Sequence, residues 1–215
     1  MKIGIDGRAL LTARTATLRN YVYSLVTALD PLPAAYMTLF FPSSPGELFN
    51  RNKHTQCKMV RWPFLGWMTG LWEEAQLPEA VEQDHIHVYH GPDHHVPKKL
   101  HCPSVVTVHD LGFKKFPRLV PSAQRRRLEL CVGQAVERAT LVVAVSNAVR
   151  MDLMDLYGVK TEKIRMVYPG FDKSVAVGEA QVEATRQTYG ICKPYILFAG
   201  TIEPRKNLCN LIQSF

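Results

Sequence analysis

The chain has 215 residues, 47% of them hydrophobic and 21% charged, with a formal net charge of +7. These values describe a globular chain with room for one large domain, or one domain and part of another, and no repeat or low-complexity segment interrupts it. The longest apolar runs, such as residues 141–145, fall far short of the ~20 residues that span a bilayer.

Asp6 and Arg8 break the amino-terminal apolar run, so the start does not read as a signal peptide. Residues 2–5 read as a buried strand ending in the polar turn Asp6-Gly7-Arg8. Residues 18–29 carry Leu18, Tyr21, Val22, Leu25, Val26 and Leu29 at helical spacing. Strands are expected at 37–41 and 58–60, then a short helix over 72–77 stopped by Pro78. Strands at 86–89 and 104–108 each run into a polar segment that begins with histidine. A helix over 121–139 precedes the apolar strand 141–145, and Ser146 stands where it can cap the next helix. That helix ends near Tyr157-Gly158, where glycine can take the left-handed closing position. A strand at 164–167 is halted by Pro169-Gly170, and 178–189 reads as a polar helical linker. A strand at 195–199, a turn at 200–204 and a helix from Lys206 begin a new unit. The alternation predicts an α/β chain, a Rossmann-like doubly wound parallel sheet over 1–177. A linker over 178–194 then leads to the first βα unit of a second such domain over 195–215.

In such sheets ligands bind beyond the carboxyl ends of the strands. Asp6 to Arg8, His90 to Asp93, His109-Asp110, Ser146, Pro169-Gly170 and 200–206 fall at those ends. The stretch HIHVYHGPDHH offers His85, His87, His94 and His95, but a metal site needs a convergent set, and surface or structural histidines are the expected reading. His109 can shuttle a proton or bond a sugar hydroxyl or phosphate oxygen, or be an ordinary loop histidine satisfied by backbone. In FAGTIEPRKNL, Gly200 permits close backbone approach, and Arg205 and Lys206 stand at a helix start. Two cations there oppose the helix dipole, a conflict that an anionic ligand such as a phosphate resolves.

Cys57, Cys102, Cys131, Cys192 and Cys209 are scattered without a CxxC pair, which fits a reducing, cytoplasmic compartment. The tight basic cluster Arg125-Arg126-Arg127 is read as a solvated helix face or as peripheral contact with an anionic membrane. No interleaving of aromatic and basic residues suggests a nucleic-acid partner. No GxGxxG follows the first strand, which removes a nicotinamide-dependent dehydrogenase.

Taken together, WEEAQLP (72–78), HGP (90–92), VTVHDL (106–111), AVS (144–146), YGV with KIRMVYPGFD (157–172) and ILFAGTIEPRKNL (196–208) resemble glycosyltransferase family 4. These segments run in the family's order along essentially the whole chain. The resemblance implies the GT-B architecture, with two Rossmann-like domains facing across a cleft. The first binds a sugar, lipid-linked or small-molecule acceptor, and the second binds most of a nucleotide-diphosphate-sugar donor. It implies transfer with retention, without a metal or other cofactor. His109 and Asp110 then stand at the catalytic centre beside the transferred sugar. Arg205, Lys206 and Gly200 hold the donor diphosphate, and Trp72, Glu73 and His90 are acceptor-side candidates. The family's glycine-rich loop, as in GLGNYV, is replaced here by Thr17-Leu18-Arg19-Asn20-Tyr21-Val22. Thr17 and Arg19 thus occupy glycine positions of the donor loop, where a β-branched residue crowds backbone approach. The family's remaining donor-side elements, including paired glutamates, fall past Phe215. A truncated, non-catalytic sugar-binding module is therefore the alternative to an active enzyme.

Overall fold

The computed structural model describes residues 1–11, 16–48, 52–60, 72–171 and 176–215, with Ala16 described by its backbone alone. Its strands are β1 (Lys2–Asp6), β2 (Tyr36–Phe41), β3 (Thr55–Met59), β4 (Val88–Gly91), β5 (Ser104–Val108), β6 (Leu141–Ala144) and β7 (Ile164–Met166). Among the described residues they form one sheet in the order β3-β2-β1-β4-β5-β6-β7, and every pair is parallel. The chain winds outward through β2 and β3, then returns to set β4 on the other flank of β1. This reversal makes the β1–β4 seam a topological switch point, where a crevice opens beyond the carboxyl ends. Register places Ile5 opposite both Leu39 and His90, and Gly91 opposite Val106, so the polar residues that follow these strands emerge together.

The helices follow from their apolar stripes. In α1 (Ala16–Leu29), Val22 and Val26 are fully buried against Ile5, Leu39 and Phe41. After α2 (Leu77–Gln83) and the short α3 (Gly112–Lys115), α4 (Ser122–Arg138) lays Val132, Ala135 and Val136 on β5 and β6. Beside it α5 (Asn147–Tyr157) contributes Val149 and Leu153 to the same core. The Ser146 hydroxyl accepts from the Val149 amide at 3.2 Å and caps α5, a bond of the kind that contributes about 1 kcal/mol. Gly158 closes the helix at φ 63°, a conformation that costs glycine nothing.

Several expected boundaries shift for identifiable reasons. Pro78 does not stop a helix: a π-type turn over Trp72–Gln76 leads into α2, whose first turn holds the proline, where its missing N–H is not needed. The strand expected at 86–89 starts two residues later, because the turn at Asp84 and His85 (φ 52°) uses up the approach. β3 begins three residues before the expected 58–60. It is an edge strand, half exposed, so its sequence Thr-Gln-Cys lacks the apolar run of a buried one.

Contacts divide the chain into Met1–Gly170 and Phe171–Phe215. The second unit holds α6 (Glu179–Thr188), a 3-10 turn at Pro204–Lys206 and α7 (Leu208–Ser214). The strand expected at 195–199 is not formed; among the described residues the segment pairs with no strand, and it has no regular structure. Its apolar side chains, Leu197 at 78% among them, are exposed. A strand exists only through its ladder, and none is present for this segment. Asp172, part of the YPGFD motif, lies outside the described residues.

Candidate active site

β1 delivers Asp6 to the switch point almost fully buried. Its carboxylate accepts from the Arg8 amide at 3.0 Å, from Arg8 Nε at 3.0 Å and from Arg8 Nη2 at 2.6 Å. Arg8 Nη1 donates to Glu73 Oε1, and the guanidinium lies 5.1 Å from the Trp72 ring centroid. Glu73 Oε2 is 3.5 Å from His95 Nε2. The neighbouring Glu74 binds Arg138 Nη1 at 2.9 Å and accepts from the Lys98 amide at 2.8 Å. The WEE turn thereby ties β1, the loop after β4 and the end of α4 into one charged brace. Burial alone would raise the Asp6 carboxyl, but the charge and hydrogen bonds of Arg8 outweigh it and hold the group below the ordinary carboxylate range. Burial likewise opposes the Arg8 cation, and Asp6 more than offsets that loss. Both partners stay ionised.

β4 ends in His90-Gly91-Pro92, and the chain then folds back sharply. A Cβ on Gly91 would lie 1.9 Å from the His95 carbonyl oxygen, so glycine is required there by space. The Pro92 carbonyl stands 2.9 Å from His109 Nε2, just past β5. The Tyr21 ring, from α1, meets the His109 ring edge-on at 4.8 Å and 84°. Its hydroxyl is 3.2 Å from Thr107 Oγ1, which lies 2.8 Å from His90 Nε2. Burial, reinforced by His109, lowers the His90 pKa to about 4. Burial and the Arg8 charge take His95 to about 4 as well, and burial lowers His94. The crevice is therefore lined by neutral imidazoles beside a fixed ion pair.

The expected site residues take varied places. His109 lies at the crevice, half-buried. Asp110 is exposed: its Oδ1 accepts from the Gly112 amide at 3.0 Å at the start of α3, and its charge is felt by His94 beside His109. Trp72 is buried, its indole N–H donating to the Val60 carbonyl at 3.0 Å while a ring face carries Arg8. Glu73 is committed to Arg8 and His95, and His90 to Thr107. Thr17 and Arg19 are exposed on the first turn of α1, one turn ahead of Tyr21. In the second unit Gly200 takes φ 151°, a conformation that side chains disfavour. Arg205 and Lys206 lie in the 3-10 turn, with Arg205 Nη2 2.8 Å from Glu203 Oε1. The helix expected from Lys206 begins at Leu208, because Asn207 turns left-handed at φ 54°.

Sequence reasoning missed Tyr21, Thr107, His95, Glu74 and Arg138 as site residues. Tyr21 sits on the apolar stripe, which tells which face is buried but not which end of it meets the site. The Glu74–Arg138 pairing spans 64 residues and leaves no local signal. Among the described residues, no three His, Cys, Asp or Glu side chains converge as a metal site.

A parallel sheet wound both ways from a switch point, with side chains from β1, β4 and β5 gathered beyond its carboxyl edge, defines an α/β Rossmann-like ligand-binding domain. More narrowly, the chain belongs to Glycosyltransferase Family 4, whose model matches residues 18–192. It is 27% identical over 131 residues to the O-antigen chain mannosyltransferase B of Escherichia coli, an alignment that takes in 60% of this chain and 34% of that protein. The fold matches the crystal structure of Anabaena HepE in complex with UDP and glucose, with TM-score 0.55 and 18% identity over 88% of this chain and 50% of that one. It also matches a glycosyltransferase from Rickettsia africae, with TM-score 0.56 and 14% identity over 89% of this chain and 50% of that one. The chain thus spans about a third to a half of the length of these relatives.

Proposed function

We propose that this chain forms the acceptor-side domain and the opening donor-side elements of a retaining glycosyltransferase that uses a nucleoside-diphosphate sugar. The observation that carries the reading is His109, held by the Pro92 carbonyl at the switch point, within a family match that runs from α1 into the second unit. The mannosyltransferase relative, and the UDP and glucose bound to the Anabaena neighbour, support a hexose donor and a sugar-bearing acceptor.

In this reading the bond from the sugar's anomeric carbon to the diphosphate oxygen breaks. The acceptor hydroxyl attacks from that same face, and its proton passes to the departing phosphate. His109 bonds the transferred sugar. Arg205 and Lys206 hold the diphosphate, where charge grows as the bond breaks, and fixed cations favour that state over the ground state. They neutralise the leaving group without a metal. Gly200 lets backbone approach the phosphates, and Thr17 and Arg19 edge the donor from α1. Trp72, Glu73 and His90 support the acceptor side by fixing Arg8 and Thr107, and Asp110 sets the start of α3 beside the site. The five free cysteines support a reducing, cytoplasmic setting. Lys114, Lys115, Arg118, Arg125, Arg126 and Arg127 fall between 111 and 128 with no acidic residue among them, beside exposed Phe116 and Leu119. That segment supports peripheral contact with an anionic membrane, which suits a lipid-linked acceptor.

Arg205→Ala and Lys206→Ala, made in the chain assembled with a full donor-binding domain, test the phosphate assignment. Each is expected to lower turnover on the order of a hundredfold, about 3 kcal/mol of lost stabilisation, with folding intact. Turnover within about twofold of wild type would reject it.

A further inference from the structure

We propose that the Pro92 carbonyl locks His109 as its Nε2–H tautomer, so that Nδ1 is the acceptor offered to a substrate hydroxyl, and that Tyr21 holds the ring in that pose. The proposal rests on the preceding reading for the identity of the substrate, whereas the tautomer is a property of this chain alone.

A carbonyl oxygen can only accept. At 2.9 Å the contact with Nε2 is a hydrogen bond of ordinary length, and it requires the proton to be on Nε2. In the neutral ring Nδ1 then carries the lone pair. Among the described residues Nδ1 has no hydrogen-bond partner, which leaves it as the atom with unused capacity.

The carbonyl is not placed by chance. Gly91 pairs with Val106, which brings the ends of β4 and β5 level, and the loop then doubles back so tightly that a Cβ on Gly91 would strike the His95 carbonyl. Pro92 is buried, and its ring fixes φ, which leaves ψ as the one torsion of that residue able to turn the oxygen. Turning the imidazole over would carry Nε2 away from that oxygen. Tyr21 opposes the turn by packing edge-on against the ring. Its hydroxyl also lies 3.2 Å from Thr107 Oγ1, on β5 and two residues before His109. Thr107 is held in turn by His90 at 2.8 Å. Backbone from one loop thus sets the proton, and a side chain from α1 sets the plane.

Two-bond proton–nitrogen NMR on the 15N-histidine-labelled chain, above neutral pH, reads the tautomer without any substrate. His109 is assigned by the signal lost in His109→Gln. The expected result is a protonated, pyrrole-type Nε2 and a bare, pyridine-type Nδ1. Tyr21→Phe, which keeps the ring, should preserve that pattern, and Tyr21→Ala should collapse it toward averaged shifts while the chain stays folded. A wild-type His109 carrying its proton on Nδ1, or averaging between tautomers, would overturn the lock. An unchanged pattern in folded Tyr21→Ala would overturn the role of Tyr21. In the assembled enzyme His109→Gln keeps a donor near Pro92 but displaces the acceptor, and sugar transfer should fall at least about tenfold. Full transfer by that variant would overturn the substrate role and leave the NMR result standing, so the two failures are separable.

Discussion

His90 is, with His94 and His95, one of the side chains through which acidity reaches this site. Unfolded, it takes up a proton near the ordinary value of 6.5; folded, burial and the nearby His109 delay that until about 4. Between those values the unfolded chain binds more protons, so acid favours unfolding. The contribution is whole above about pH 6.5 and fades as pH falls to about 4, amounting to about 3 kcal/mol at most. Replacing His90 by Gln keeps a hydrogen-bonding group near Thr107 and removes the titration. Its loss of melting temperature between about pH 7 and about pH 5 should be smaller than that of wild type; an equal loss would show that His90 does not titrate as described. At this scale the motif VTVHDL located His109, because a histidine past a buried strand is visible in the order of residues. It did not show that Asp110 Oδ1 accepts from the Gly112 amide, a bond set by how the chain turns into α3. Nor could it show that Trp72 and Glu73 face inward on Arg8, since that contact joins residues 65 apart.

Elements with an apolar run or explicit end signals were the legible ones. β5 falls where its apolar run, Ser104–Val108, places it, and α5 has the cap and closing glycine that its sequence announces. β3 was harder to see because an edge strand needs no second apolar face, and Pro78 misled because proline is as much at home in a first turn as after a last one. The apolar run at 195–199 has strand composition without a ladder, which no local pattern can supply. The stretch from α3 into α4 makes its own prediction. Each Lys or Arg near an anionic lipid surface is worth about 1 kcal/mol, and Phe116 and Leu119 add apolar anchors. The chain should sediment with phosphatidylglycerol vesicles and not with phosphatidylcholine ones. Arg126→Glu with Arg127→Glu should weaken that binding at least about tenfold, and Phe116→Ala with Leu119→Ala should weaken it further. Equal affinity for both vesicles, or binding untouched by these changes, would remove the membrane from the account.

Over the whole molecule, the strand order decides where chemistry can occur. The strand order reverses at β1, which sets the carboxyl ends of β1, β4 and β5 side by side, and Asp6, His90 and His109 stand at those ends. The family match spans most of that sheet and extends past it to residue 192. Transfer by front-face attack on a diphosphate-linked sugar is the central claim. It is tested most directly by supplying UDP- and GDP-linked hexoses to the chain assembled with a full donor-binding domain, in EDTA, and reading the anomeric configuration of the product by NMR. The expected result is a glycosylated acceptor with the donor's configuration kept and a rate unaffected by the chelator. A product of inverted configuration, a rate abolished by EDTA, or binding of sugar and nucleotide with no transfer at all would contradict it.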